Sequence, residues 1–397
     1  MRKLFDRTYQ GIFYLVRPFL PWREPKLLTS YAQLAILLKE KELKNPLIVI
    51  DENIMKLGLH TPLEEALKEA NLNYVFFFDV TPNPTVAQVE KARAMYIEEG
   101  CDTLIGFGGG SPLDVAKAVG ALIVRPKKSL DKLGGILKVR RKLPLLIAIP
   151  TTAGTGSEAT LAAVITNSET KRKYAINDHA LIPHFALLEP SLTYGLPPLL
   201  TATTGMDALT HAVEAYTNNG GTKFTNKKAV NAVKLVFANI EKAYFEPRNE
   251  KARYNMQIAA YDAGVAFTRN YVGYVHALSH PLSAFYGLPH GYVNALILPY
   301  MLKKYDKKVH KKIARLARLS EVANGESDSE IANNFILEIE RLNKVFNIRR
   351  RIPEIKDEDI PLLAKYANKE ARPLYPTPLI YSNKELEGFY KELQGGY

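Results

Sequence analysis

The sequence predicts two domains, an α/β domain built on a parallel sheet followed by an all-helical domain. Three observations predict this. Short apolar runs rich in Val, Ile and Phe alternate with helix-period segments as far as Pro190, which is the signature of strand–helix–strand units. From Thr201 onward the strand signals fade and one helix-period segment follows another. The length, 397 residues, exceeds what a single hydrophobic core ordinarily fills. The Leu196-Pro197-Pro198 break sets the boundary, giving domains 1–197 and 198–397, with residues 1–24 as an atypical extension of the first.

In order along the chain, Leu34 to Lys44 is helical in period. Pro46 introduces Leu47-Ile48-Val49-Ile50, a buried parallel strand that ends at Asp51. A helix from Pro62 leads to a second strand, Tyr74 to Phe78, and the turn Thr81-Pro82-Asn83-Pro84-Thr85 opens another helix. The third strand, Thr103 to Phe107, runs into Gly108-Gly109-Gly110-Ser111-Pro112-Leu113-Asp114. Glycines between a strand and a helix let a ligand approach the backbone, and the first amides of the helix form an anion site. The stretch is not GxGxxG, because Ser111 stands in the last glycine place. A fourth strand, Leu145 to Ile149, ends at Pro150-Thr151-Thr152-Ala153-Gly154-Thr155-Gly156-Ser157-Glu158, supplying hydroxyls at the strand end where open α/β sheets bind ligands.

The helical half carries a concentration of metal-ligand chemistry. Asp207 and His211 lie four apart in an amphipathic pattern, and His276 and His280 repeat that spacing, so each pair projects from one helix face. His290 follows in a Pro-His-Gly turn, placing four of the eight histidines in one window with an acid. Imidazole with one carboxylate and no thiolate suits Fe(II), Zn(II), Co(II) or Ni(II). One such pair alone would more often be an ordinary helix face; two pairs and a third site make coincidence a poor explanation.

The blocks GMDALTHAVEAYT and AGVAFTRNYVGYVHALSHPLSAFYGLPHGYVNALILP, with GGGSP-x-D and PTTAGTGSE, resemble the iron-containing (group III) alcohol dehydrogenases from about Pro25 to the C-terminus. The resemblance implies a Rossmann-like dinucleotide-binding domain followed by an all-α metal-binding domain, the dehydroquinate synthase-like architecture, with the catalytic cleft between them. It implies metal ligands Asp207, His211, His276 and His290, holding Fe(II) with Zn(II) as the alternative. His280 then lies beside the site as a proton relay, and Phe267 bounds the substrate. The cofactor residues it implies are Gly108, Gly109, Gly110, Ser111, Asp114, Thr151, Thr152, Thr155, Ser157 and Lys173. Asp51 falls where an acid accompanies NAD preference, since a carboxylate accepts from a ribose hydroxyl and repels the extra phosphate of NADP. The implied reaction interconverts a primary alcohol or short diol with its aldehyde, in a homo-oligomer, a dimer as the first expectation. Thr268-Arg269-Asn270-Tyr271 departs from the family's small residues and puts the substrate pocket in question.

Composition narrows the alternatives. At 47% hydrophobic and 24% charged the chain is globular, and no apolar run approaches the roughly 20 residues that span a bilayer. Its single cysteine, Cys101, fits a reducing cytoplasm. The net charge of +12 comes from scattered basic clusters without interleaved stacking aromatics, which argues against nucleic-acid binding and for attraction of an anionic cofactor. Residues 1–24 mix Phe5, Tyr9, Ile12, Phe13, Leu15, Val16, Phe19 and Leu20 with arginines and lack a signal-peptide cleavage site. Packing on the body is the favoured reading, ahead of covering a partner subunit or lying on a membrane. Two rival functions remain at this stage. A dehydroquinate synthase-like lyase would need a pocket lined by several Lys and Arg, whereas the metal segment is dominated by Ala, Leu, Phe and Tyr; a degenerate cofactor-binding protein would not need its ligand positions intact.

Overall fold

The computed structural model describes residues 2–169 and 172–396. The chain divides into two compact units, one spanning Pro21–Gly195 and one running from Leu196 onward that also takes in the segment up to Leu20. The two units part between Gly195 and Leu196. The first 20 residues do not belong with the α/β unit in which the sequence expectation placed them: their polar side chains bond to backbone carbonyls of the helical half.

The α/β unit is organised by a six-stranded sheet in which every pairing is parallel. Its order is Lys26–Leu28, Phe185–Leu187, Leu145–Pro150, Thr103–Gly108, Pro46–Ile50 and Val75–Phe77. Alternate residues of each central strand go to opposite faces. Leu47, Val49, Leu104 and Leu146 join one buried cluster with the helices Val86–Glu98 and Gly110–Val124. Ile48, Ile50, Ile105, Phe107, Ile147 and Ile149 join another with Tyr31–Glu40 and Thr61–Glu69. This two-sided burial is why the strands read as continuous apolar runs. A second sheet of three strands, Gly135–Ile136, Arg172–Asn177 and Ala162–Asn167, has no counterpart in the sequence reading.

The helical unit is built around Pro198–Thr217, most of whose side chains are buried. It packs against Lys223–Phe245, Glu250–Asn270 and His290–Tyr305. Tyr274–Tyr286, Lys307–Ser320, Asp328–Val345, Ile360–Ala371 and Asn383–Gly395 complete it, with the first helix of the chain, Arg2–Val16. Two glycines set the close approaches. A Cβ on Gly205 would stand 2.8 Å from Ile240 and Met256, and one on Gly291 would stand 2.4 Å from the Thr203 carbonyl, so His290–Tyr305 can seat on Pro198–Thr217 only with glycine there. Among the described residues no helix is long and apolar enough to cross a membrane.

Candidate metal centre and cofactor loops

Three helices of the helical unit bring the predicted ligands together. Asp207 and His211 project from Pro198–Thr217, His276 from Tyr274–Tyr286, and His290 opens His290–Tyr305 in place of the expected turn. Asp207 Oδ1 lies 3.8 Å from His276 Nε2 and 3.6 Å from His290 Nε2, and the ligand atoms of these three residues all fall within 4.8 Å of one another. His211 stands at the edge of the cluster, its Nδ1 4.0 Å from Asp207 Oδ2 and its ring stacked between Phe267 at 4.2 Å and His276 at 4.5 Å. Thus three predicted ligands converge on one point and the fourth stacks beside them.

Two residues that the sequence reading passed over prepare this cluster. Glu214, buried, accepts from the amides of Gly273 (2.8 Å) and Val275 (2.7 Å) and lies 2.6 Å from His276 Nδ1. The Asn294 NH2 group can only donate and lies 3.1 Å from His276 Nε2, so the Nε2 lone pair faces the cluster and the ring proton sits on Nδ1 toward Glu214, the tautomer a metal ligand needs. Burial pushes the Glu214 pKa up to about 8, while the two amides pull it down. Burial, with the other three histidines, holds His276 well below its usual pKa and therefore neutral. A Cβ on Gly273 would stand 2.7 Å from Glu214 Oε1, so glycine admits the carboxylate.

The second is Asn294. Its Nδ2 lies 2.7 Å from Asp207 Oδ1, 3.1 Å from His276 Nε2 and 3.0 Å from His290 Nε2, while its Oδ1 is buried with no hydrogen-bond partner among the described residues. Two amide protons thus face three acceptors. An acceptor set converging on so small a space is the donor set of a cation, since tetrahedral bonds of about 2.1 Å put ligand atoms about 3.4 Å apart. The residues present therefore fit a divalent metal.

His280 stands outside this convergence. It is 44% exposed, its ring stacks on His290 at 4.9 Å, and its Nδ1 lies 2.6 Å from Glu370 Oε1, which also accepts from the Tyr375 hydroxyl at 2.8 Å. The bulky Thr268 to Tyr271 segment serves packing. Asn270 is fully buried and donates to the Ala215 carbonyl at 2.6 Å, and the Asn218 amide caps the carbonyls of Asn270, Tyr271 and Val272.

In the α/β unit the two predicted cofactor loops lie side by side. Thr151 donates its amide to the Gly108 carbonyl at 3.0 Å, and a Cβ on Gly110 would meet Thr155 at 3.5 Å and one on Gly109 would meet Thr152 at 3.9 Å. Gly108 adopts φ +152° in contact with Pro112, where a Cβ would clash at 2.6 Å. Gly109 caps the helix Gly110–Val124, leaving the amides of Gly110 and Ser111 at its positive end. Asp114 is turned inward: its carboxylate accepts from Ser157 Oγ at 3.1 Å and the Val164 amide at 3.0 Å. Beneath both loops lies Lys117, missed in the sequence because it reads as one more surface lysine on a helix. It is 1% exposed and donates to Ser157 O, Ser157 Oγ, Thr160 Oγ1 and Ala162 O at 2.7 to 3.0 Å. Burial lowers its pKa to about 8 against the pull of Asp114 and Glu158. Lys173 donates to Asn83 Oδ1 at 2.8 Å. Asp51 caps the helix Glu52–Lys56, its Oδ1 accepting from the amides of Asn53 and Ile54, and that helix touches the glycine loop through Ile54.

A parallel sheet with glycine and threonine loops at its strand ends, joined in one chain to a helical unit with a carboxylate–imidazole cluster, is the build of an enzyme that works with an anionic cofactor and a metal. The chain belongs to the iron-containing alcohol dehydrogenase family: that family's sequence profile matches residues 29–190, and the profile of its C-terminal part, described as Fe-containing alcohol dehydrogenase family, C-terminal, matches 201–393. It is 36% identical to alcohol dehydrogenase 4 of Schizosaccharomyces pombe, over 87% of this chain and 82% of that one. Its structure is similar to that of a 1,3-propanediol oxidoreductase, with TM-score 0.89 and 32% identity over 94% of this chain and 98% of the other. It is also similar to sulfoacetaldehyde reductase from Bifidobacterium kashiwanohense in complex with NAD+, with TM-score 0.84 and 28% identity over 94% and 98%. These relatives are alcohol-, diol- and aldehyde-converting oxidoreductases, so the lyase and non-catalytic alternatives lose their support.

Proposed function

We propose that this chain is an NAD(H)-preferring dehydrogenase that interconverts a primary alcohol or short diol with its aldehyde, using Fe(II) or Zn(II) held by Asp207, His211, His276 and His290. The observation that carries the reading is the convergence of Asp207 Oδ1, His276 Nε2 and His290 Nε2 around the Asn294 amide. When bound, the metal supplies Lewis acidity toward the substrate oxygen and the nicotinamide gives or takes hydride. The protein does the rest. Glu214 keeps the His276 lone pair aimed inward, and Phe267, stacked on the His211 ring, bounds the apolar side of the substrate. His280, held by Glu370 and half open to water, moves the hydroxyl proton between the site and solvent. The amides of Gly110 and Ser111 receive the cofactor pyrophosphate, with Thr151, Thr152, Thr155 and Ser157 on the neighbouring loop. Lys173 stands toward the nicotinamide ribose, and Asp51 toward the adenosine ribose.

Support for the substrate class comes from the relatives, one named for alcohol, one for propanediol and one for sulfoacetaldehyde, the last with NAD+ bound. The test is an anaerobic screen of short aldehydes with the Fe(II)- and Zn(II)-loaded enzyme, following NADH and NADPH separately, beside His211→Ala and His276→Ala. Turnover with loaded wild-type enzyme and loss of stoichiometric metal in both variants is the expected result. Wild-type metal content in both variants would refute the site.

A further inference from the structure

We propose that the first helix of this chain is an in-plane anchor for an anionic lipid bilayer. The helix Arg2–Val16 and the 3-10 turn Arg17–Phe19 lie outside the matched family region, which begins at residue 29. Their polarity is inverted relative to a helix on the surface of a water-soluble body, which turns its apolar stripe inward. Leu4, Phe5, Tyr9, Ile12, Leu15, Val16 and Phe19 are all exposed, from 40% for Tyr9 to 87% for Phe19. At 100° per residue these positions occupy one arc of about 140°, an apolar face in which Thr8 is the polar exception, its hydroxyl turned back onto the Leu4 carbonyl at 3.0 Å.

The opposite face is polar and committed to the protein. Asp6 is ion-paired with Arg372. Arg7 donates to the carbonyls of Thr377 (2.9 Å) and Pro378 (3.1 Å), and Gln10 to those of Pro373 (3.0 Å) and Tyr375 (2.9 Å). Arg17 donates to Gly220 (2.7 Å) and Arg269 (3.1 Å). Phe13 packs edge-on against Tyr271, and Tyr14 lies so close to Gly220 that a Cβ there would overlap its ring. Held this way, the helix cannot roll its apolar face inward without stripping these bonds from half-buried groups.

Charge selects the occupant. Asp6 is the only acid before Glu24, and it is buried. The outward face therefore carries no carboxylate, on a chain of net charge +12. Two copies meeting through this face would bring together two bodies of the same net charge. An anionic bilayer supplies both apolar depth for the stripe and the complementary charge, and exposed Phe5, Tyr9 and Phe19 suit the headgroup boundary.

The test uses full-length, metal-loaded protein in flotation with vesicles of phosphatidylglycerol mixed with phosphatidylcholine, and with phosphatidylcholine alone, at low and high salt. The wild type should float with the anionic vesicles, more weakly with phosphatidylcholine, and less as salt rises. The uncharged double variant Leu15→Ser/Phe19→Ser should lose about tenfold or more in vesicle affinity while keeping its melting temperature, metal content and solution activity, because both side chains point away from the body. Failure of the wild type to bind anionic vesicles at low salt, or equal binding by the variant, would overturn the proposal. A wild-type dimer that the variant dissociates, with no vesicle binding by either, would overturn it too, assigning the stripe to self-association.

Discussion

Replacing Glu214 with Gln isolates the contribution of one buried carboxylate to metal affinity. Three N–H groups converge on its two oxygens: Val275 on Oε1, and Gly273 and His276 Nδ1 on Oε2. Glutamine keeps the shape but offers one acceptor where there were two. With its oxygen toward Gly273 and His276, its NH2 opposes the Val275 amide, at a cost of about 1–3 kcal/mol in stability. With the amide reversed, His276 must give up the Nδ1 proton, Nε2 becomes protonated, and the lone pair aimed at the cluster is lost. Loss of such an orienting partner lowers metal affinity by about 10- to 100-fold, or about 1.4–2.7 kcal/mol. Competition against a chromophoric chelator gives the affinity, and thermal melts of metal-free and loaded protein give the two stabilities. The expected result is a lower melting temperature for the metal-free variant and a smaller gain on loading. Unchanged metal affinity, with the metal-free protein alone destabilised, would refute the tautomer argument and leave Glu214 as a scaffold for the Gly273–Val275 turn.

His280→Ala and Glu370→Gln should each retain stoichiometric metal yet lower kcat and alter its pH profile, as removal of a proton relay or its orienting carboxylate requires; loss of metal equal to that of His276→Ala would make His280 a ligand instead. Asp51→Gly should raise kcat/KM for NADPH relative to NADH at a cost of only a few tenths of a kcal/mol in helix capping, and a wild type already faster with NADPH would contradict that. His184, whose Nδ1 accepts from the Leu146 amide at 3.1 Å, has its pKa lowered to about 4, chiefly by burial. The unfolded chain then binds the proton more readily, so stability present above pH 6.5 is lost as the pH falls toward 4, and His184→Gln should flatten that part of a urea-melt pH series.

The sheet was legible where its strands are buried on both faces. Pro46–Ile50, Thr103–Gly108 and Leu145–Pro150 carry unbroken apolar runs because alternate side chains feed two cores. Lys26–Leu28 is too short to show a period, and Arg172–Asn177 begins Arg-Lys-Tyr, so the outer strand of the main sheet and the small sheet stayed hidden. The first helix was hidden differently. Its apolar and polar residues do segregate with helical period, but period cannot say which face is turned to the body; only the bonds of Asp6, Arg7, Gln10 and Arg17 to distant residues decide that.

The candidate site shows the same limit. Asp207, His211, His276 and His290 announce themselves because imidazole and carboxylate at one-turn spacing are few kinds of side chain in a narrow pattern. Glu214 sits on the same helix, one turn beyond His211, yet a glutamate on a helix is ordinarily a solvated residue, and its meaning depends on Gly273 and His276, some sixty positions away. Asn294 lies one turn after His290 within an apolar run, where an amide reads as a tolerated polar residue. Its amide instead faces acceptors from three helices, and its own oxygen is left without a partner. A buried amide that gives up half its bonding capacity does so because the acceptors opposite need a positive partner more. The donors that hold such a cluster together are thus set by tertiary packing, whereas the acceptors are written in local spacing, which is why sequence alone finds the acceptors and misses the groups that orient them.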